Sequence, residues 1–288
     1  MARLGPDSLQ LNAPAKINLN LLAGPRRADG FHPLDSYVSK VALYDQVLLR
    51  GRSDGQIGFH CRGADCGDVE QNLAVRAARL LKQCHPSGGA DIELAKNIPP
   101  GKGLGGGSSD AAAVLRGLNE LWSLRLDEPA LQAHAERLGS DVPLFLGGAC
   151  CRMTGRGEII EPARIHSFVA VLLLSDLACS TAEVYRACDR RPIVLGRQLD
   201  GRLLAEEPPS VWRGLLENQL AAGAREVCPP FGRLWDELSA CAGLPVCMSG
   251  SGSALFVLCD DGQEAGQVLA RLPRHLGERC MIVGLNDW

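Results

Sequence analysis

Residues 99–109, PPGKGLGGGSS, carry the strongest chemical signal in the sequence. Pro99 and Pro100 lead into Gly101, Lys102, Gly103, Leu104, Gly105, Gly106 and Gly107, and Ser108 and Ser109 follow directly. Without Cβ atoms, main-chain amides can converge on an anion, and the free N–H groups and dipole of a helix start favour negative charge there. The serines can cap an Ala-rich helix that the spacing starts at Ser108-Ser109. The segment therefore reads as a phosphate cradle rather than a flexible turn. Two common cradles are excluded. Gly101, Gly103 and Gly106 satisfy G-x-G-x-x-G, but Pro99-Pro100 separate them from a half-polar strand, and Asp127 before Glu128-Pro129 reads as a helix cap rather than a ribose ligand. The pattern G-x-x-x-x-G-K-[ST] is absent, because glycine follows Lys102.

Two further residues have types suited to catalysis. Asp141, in GSDVP (139–143), could accept the proton of an attacking hydroxyl. Spacing alone favours a second role, capping a helix with Pro143 in its first turn. Lys16 lies in APAKINLNL (13–21), where Ala13, Ala15, Ile17, Leu19 and Leu21 form one face of a strand and Lys16, Asn18 and Asn20 the other. Its spacing is equally compatible with an exposed lysine on an edge strand.

The elements that must position these groups follow from periodicity. Leu73, Ala77, Leu80 and Leu81 predict a helix over 72–84, and DIELAKNI a short strand that stops at Pro99. Asp127 and Pro129 mark a helix start and Gly139 its end. Beyond Pro162 the pattern gives a strand at 168–174, the turn and strand of MSGSGSALFVLCD (248–260), a helix at 263–271 and a strand at 280–285. Two domains are expected, 1–160 and 161–288.

Composition narrows the partners. The 288 residues hold 30 Lys and Arg against 33 Asp and Glu, a net charge of −3, which excludes a polybasic nucleic-acid scaffold. No apolar run approaches the roughly 20 residues of a membrane-spanning helix, and MARLGPDSLQ has no secretory pattern. A cytoplasmic protein with no nucleic-acid or membrane partner is expected. Twelve cysteines include no C-x-x-C, and most are expected to be reduced, small buried hydrophobes.

The glycine loop with its following Asp110-Ala111-Ala112-Ala113 resembles the second motif of the GHMP kinases. APAKINLNL, RRADGFHPL (26–34), LGSDVPLFLGG (138–148), GRGEII (155–160), STAEVY (180–185) and MSGSGSALF (248–256) extend the resemblance along the chain in family order. It implies an α+β, two-domain GHMP kinase fold with a ferredoxin-like C-terminal domain. It implies an ATP-dependent kinase, with Mg2+, acting on the 2-hydroxyl of a small-molecule substrate, a cytidine diphosphate-linked methylerythritol of isoprenoid synthesis. By the same resemblance Lys16 and Asp141 are catalytic, residues 99–109 hold the ATP phosphates, and Ser249–Ser253 buttress that loop. Asn72 and Lys96 line the adenine pocket, Asn18 orients the substrate, Phe31 and Tyr185 sandwich the cytosine, and His32 meets its polar edge. Two departures stand out: Asn218-Gln219-Leu220 has glutamine where the family usually has aspartate, and 188–210 matches no family motif.

Overall fold

The computed structural model describes residues 1–5, 7–86, 88–191 and 196–285. The chain divides into two compact units, each discontinuous in sequence: Met1–Ala15, Leu43–Pro100 and Gly105–Gly148 form the first, and Lys16–Ala42, Gly101–Leu104 and Ala149–Trp288 the second. The expected boundary near residue 160 falls inside the second unit.

The first unit contains strands β1 (Ala2–Gly5), β4 (Ile57–Gly63) and β5 (Gly89–Lys96), with parts of β2 (Ser8–Asn18) and β3 (Leu34–Arg52), in the order β1-β2-β3-β5-β4. Strands β3 and β5 are antiparallel, Gln46 facing Ala95, whereas β4 and β5 run parallel, Ile57 facing Ala90. A parallel pair needs a crossover, and helix α1 (Leu73–Cys84) supplies it. Its expected apolar face is buried, from Ala74 to Leu81, and Asn72 Oδ1 caps it by accepting from the Ala74 amide. Helices α2 (Gly106–Leu121) and α3 (Glu128–Leu138) pack beside α1 and each other, and α4 (Val142–Leu146) packs on α2 and α3. Asp127 caps α3 through the Ala130 amide and Gly139 ends it, as the spacing predicts.

The start of α2 differs from expectation. It begins at Gly106 rather than at Ser108, with Gly105 as its left-handed cap residue at φ 70° and no side-chain cap. The serines stand in the first turn, where their backbone is already helical.

In the second unit, residues Leu34–Ser39 of β3 pair with β6 (Cys150–Gly155), which pairs in turn with β7 (Ile159–Pro162). A separate antiparallel sheet holds β8 (Val169–Leu173), β9 (Val246–Met248), β10 (Leu255–Cys259) and β11 (Cys280–Gly284) in the order β9-β10-β8-β11. Helices α5 (Thr181–Asp189), α6 (Ala221–Val227) and α7 (Pro229–Ala242) lie between β8 and β9 in the chain, and α8 (Gly262–Arg271) between β10 and β11. This order, with its outer strands added on either side of β8 and β10, is the ferredoxin-like arrangement. Its core is built on Phe231, Leu255, Met248 and Leu276, all at 0% exposure.

The expectation that most cysteines are buried is not met: Cys150, Cys151, Cys179 and Cys259 are buried, but Cys188, Cys228, Cys241, Cys247 and Cys280 are half-buried and Cys84 is exposed. Cys61 and Cys66 depart from it and are paired in a disulfide, because the turn after β4 brings their Cα atoms to 6.7 Å, within bridging range.

Candidate active site

The glycine loop owes its course to close backbone approach. Gly101, Gly103 and Gly105 all have positive φ, which side-chain-bearing residues rarely adopt. Gly103 is the tightest: a Cβ there would lie 2.1 Å from the carbonyl oxygen of Ser249. In the second unit, Ser249 Oγ donates to Gly103 O at 2.8 Å, and the Ala254 amide donates to Lys102 O at 3.1 Å. The run Ser249–Ser253 thus braces residues 101–104. Lys102 sends its ammonium to Leu177 O at 2.6 Å and is 8% exposed.

Lys16 stands against this brace. Its amide donates to Leu104 O at 2.9 Å, and a Cβ on Gly250 would lie 3.3 Å from Gly103 Cα and 3.4 Å from Lys16 Nζ. The ammonium donates to Asn18 Oδ1 at 2.5 Å; Asn18 Nδ2 donates to Ser36 Oγ at 2.8 Å, and its amide to Ser249 Oγ at 3.2 Å. The polar residues at the end of β2 and just beyond it are therefore buried, with Lys16, Asn18 and Asn20 all at 5% exposure or less. A lysine on a solvated edge is excluded. Burial keeps this ammonium desolvated, so its field acts on nearby oxyanions with little screening.

In the first unit, the head of α2 carries a buried ion group. Lys96 donates to Asp45, whose other oxygen accepts from the amides of Asn97 and Ile98, and to Asp110 Oδ2 at 2.9 Å. Burial pushes the Asp110 carboxyl up to about 7; Lys96 opposes that shift, and the Asp45 charge adds to it. One ammonium cannot balance two buried carboxylates, so Asp110 keeps a proton up to near neutrality. Gly106 packs against this group: a Cβ there would lie 2.8 Å from Lys96 Nζ. Ser109 Oγ and Asp110 Oδ1 are buried with no hydrogen-bond partner among the described residues. Sequence reading found Lys96 but missed Asp45 and Asp110, whose acidic side chains give no periodic signal of their partner.

Asp141, also in the first unit, precedes α4 with helical backbone, φ −89° and ψ −13°, and makes no side-chain cap bond. Pro143 offers no N–H at the second helical position. The capping role that spacing favours is thus not filled, and a half-buried carboxylate is left available beside the loop that opens α4. Asn72 is taken up in capping α1 and in donating to Cys66 O at 3.4 Å.

A pocket of about 760 Å³ opens in the second unit, lined in part by Ala23, His32, Tyr185, Asp189, Asn218 and Gln219. The His32 and Tyr185 rings lie 5.2 Å apart at 33°. Phe31 is outside that lining: it is 53% exposed and lies under the Arg156 guanidinium at 5.0 Å. Asp29 and Arg26 structure the loop, accepting from the Phe31 amide and donating to Gly30 O. Gln219, where the family usually has aspartate, accepts from the Ala23 amide at 2.7 Å, and Asn218 donates to Met248 O and Gly250 O at 2.8 Å. The neutral amide therefore ties one pocket wall to the other. Of the segment 188–210, residues 192–195 lie outside the described residues; Arg190 and Arg191 are held by Glu226. Asp189 was missed, although its place four residues after Tyr185 puts both on one helix face.

A glycine loop braced by a second glycine-serine run, beside a buried lysine and a ferredoxin-like sheet, describes a family, and sequence comparison identifies it. Residues 72–149 match the N-terminal domain of the GHMP kinases and residues 203–278 their C-terminal region. The chain belongs to the GHMP kinases. Its relatives include 4-diphosphocytidyl-2-C-methyl-D-erythritol kinase of Synechocystis sp., 37% identical over 91% of this chain and 90% of that protein. The protein of the same name from Nocardioides sp. is 37% identical over 91% of this chain and 92% of its own length. A crystal structure of 4-(cytidine 5'-diphospho)-2C-methyl-D-erythritol kinase aligns at a TM-score of 0.80 and 35% identity, covering 97% of this chain and all of that one. Homoserine kinase of Cytophaga hutchinsonii shares the fold at a TM-score of 0.70 and 17% identity, over 100% of this chain and 96% of the other.

Proposed function

We propose that this chain is an ATP-dependent kinase that phosphorylates the 2-hydroxyl of 4-diphosphocytidyl-2-C-methyl-D-erythritol in isoprenoid precursor synthesis. The observation that carries the reading is the buried Lys16 ammonium set against Gly250 and the braced glycine loop. Phosphoryl transfer needs positioning and charge neutralisation more than covalent chemistry. In this reading the amides of residues 99–109 hold the ATP phosphates. Asp141 orients the acceptor hydroxyl and takes its proton, and Lys16, held by Asn18, offsets the developing negative charge. Asn72 and Lys96 serve the adenine end, Lys96 through the turn it fixes at the head of α2. Tyr185 and Phe31 take the two faces of the cytosine, with His32 at its edge.

Among the described residues no group of three His, Cys, Asp or Glu side chains forms a metal cage. Mg2+ takes few protein ligands and travels with nucleotide phosphates. The unpartnered Ser109 Oγ is the side chain suited to share such an ion with them. Bound there, Mg2+ would neutralise phosphate charge. The two family matches fall on either side of residue 160, and on them the family's two domains are placed at 1–160 and 161–288, although the compact units interleave across that boundary. Among the described residues no helix is long and apolar enough to cross a membrane; a cytoplasmic location is part of the proposed reading.

The test is a substrate panel with purified protein, ATP and coupled ADP detection. Turnover is expected with the cytidyl substrate and not with homoserine or mevalonate. Phosphorylation of homoserine with the cytidyl compound ignored would overturn the reading.

A further inference from the structure

Within the pocket of the second unit, His32 has two hydrogen-bond partners that can only accept. Its Nδ1 lies 2.9 Å from Gly24 O, and its Nε2 lies 3.1 Å from Asp189 Oδ1. A carbonyl has no proton to give, so Nδ1 must donate. Nε2 then shares a proton with the Asp189 carboxylate, because a bare nitrogen lone pair against an ionised oxygen would repel it. The ring is fixed between these partners and against Tyr185, 5.2 Å away. Neighbouring cations do not compete for Asp189: Arg191 and Arg190 are held by Glu226 at 2.8 Å and 2.6 Å, and Arg26 donates to Gly30 O. Among the described residues Asp189 has no ion-pair partner besides His32, and its side chain remains 29% exposed to the pocket.

We infer that Asp189 is a specificity-determining residue that distinguishes a cytosine from a uracil base. The inference rests on the proposed cytidyl substrate. Cytosine carries an exocyclic amino group that donates, and uracil carries a carbonyl in the same place that accepts; acidic side chains read the former. Asp189 uses Oδ1 on His32 and offers Oδ2, one bond angle away, to a base stacked on Tyr185. An amino group meets an acceptor there, whereas a carbonyl meets a like dipole. Asp189 is also a positioning residue for His32, since it locks the ring with both nitrogens turned to acceptors.

The experiment compares kcat/KM for the cytidyl substrate with that for its uridyl counterpart, in the wild type and in Asp189→Asn. The asparagine oxygen can still receive the His32 proton, while its NH2 replaces the free carboxylate oxygen. The cytidyl-over-uridyl ratio should fall by on the order of tenfold or more, with the loss in KM for the cytidyl substrate rather than in kcat, and with KM for ATP unchanged. A merely structural role would lower both substrates alike and leave the ratio where it was; that result overturns the inference while the kinase reading stands. A wild type that ignores the cytidyl substrate overturns both. Should Asp189→Asn fail to fold, calorimetry of CMP and UMP binding to the wild type and to Asp189→Glu decides: equal affinities for the two mononucleotides in the wild type overturn the inference, and a preference for CMP that Asp189→Glu partly keeps supports it.

Discussion

Substituting Asp110 by asparagine should make the protein more stable, and more so as the pH rises. In the folded chain burial beside Asp45 pushes the Asp110 carboxyl from its ordinary 3.8 up to about 7, against the pull of Lys96. Between those values the folded state holds a proton that the unfolded chain has released. Stability is therefore greatest below about pH 4 as far as this group is concerned and is lost as the pH rises to about 7, at roughly 1.4 kcal/mol per pH unit. The full interval corresponds to about 4 kcal/mol, an upper bound because the asparagine also exchanges a carboxyl hydrogen bond for an amide one. Asp110→Asn removes the titration and leaves Lys96 paired with Asp45, one charge against one. Urea unfolding of both proteins at constant ionic strength, in steps from pH 4.5 to 8.5, should give curves that diverge up to about pH 7 and run parallel above it. Curves parallel throughout would refute the reasoning and mean that Asp110 is ionised in the folded state across the whole range.

Asp141→Asn should lower turnover about a hundredfold or more, the loss expected for a positioned proton acceptor, while ATP binding measured by calorimetry persists; near-normal turnover would remove Asp141 from the mechanism. Gly103→Ala should abolish tight ATP binding, because its methyl group would enter the Ser249 carbonyl at 2.1 Å and its φ of 75° disfavours a side chain; an unchanged KM for ATP would show that the loop is dispensable. Tyr185→Ala should weaken cytidyl-substrate binding by roughly 1–3 kcal/mol through lost stacking, read as a rise in Kd; unchanged affinity would put the base elsewhere.

Local rules made much of the fold legible. The apolar spacing of α1 and the Asp127–Gly139 frame of α3 were plain because each is decided within one helix. The head of α2 was misplaced because a left-handed glycine cap leaves no side-chain signature, and two serines nearby supply a misleading one. At Lys16 period-2 alternation gave the right strand but not its burial, since both faces of β2 are covered at its Ala15–Asn18 end. The glycine loop was plain from composition, yet its brace at Ser249 lies 146 residues away in sequence. Pairings across such distances, like His32 with Asp189 or Lys96 with Asp45, leave no trace in spacing and appear only once the chain is folded.

The chain passes from one compact unit to the other at Lys16, Leu43, Gly101, Gly105 and Ala149. A single scissile bond near residue 160 would consequently not liberate a self-sufficient carboxy-terminal half: that fragment would carry Tyr185 and Asp189 but lose Ala23, Arg26 and His32 from the same pocket, together with the Gly103 carbonyl that engages Ser249. Restoring that pocket and brace would then require both pieces to be present together rather than either folding alone.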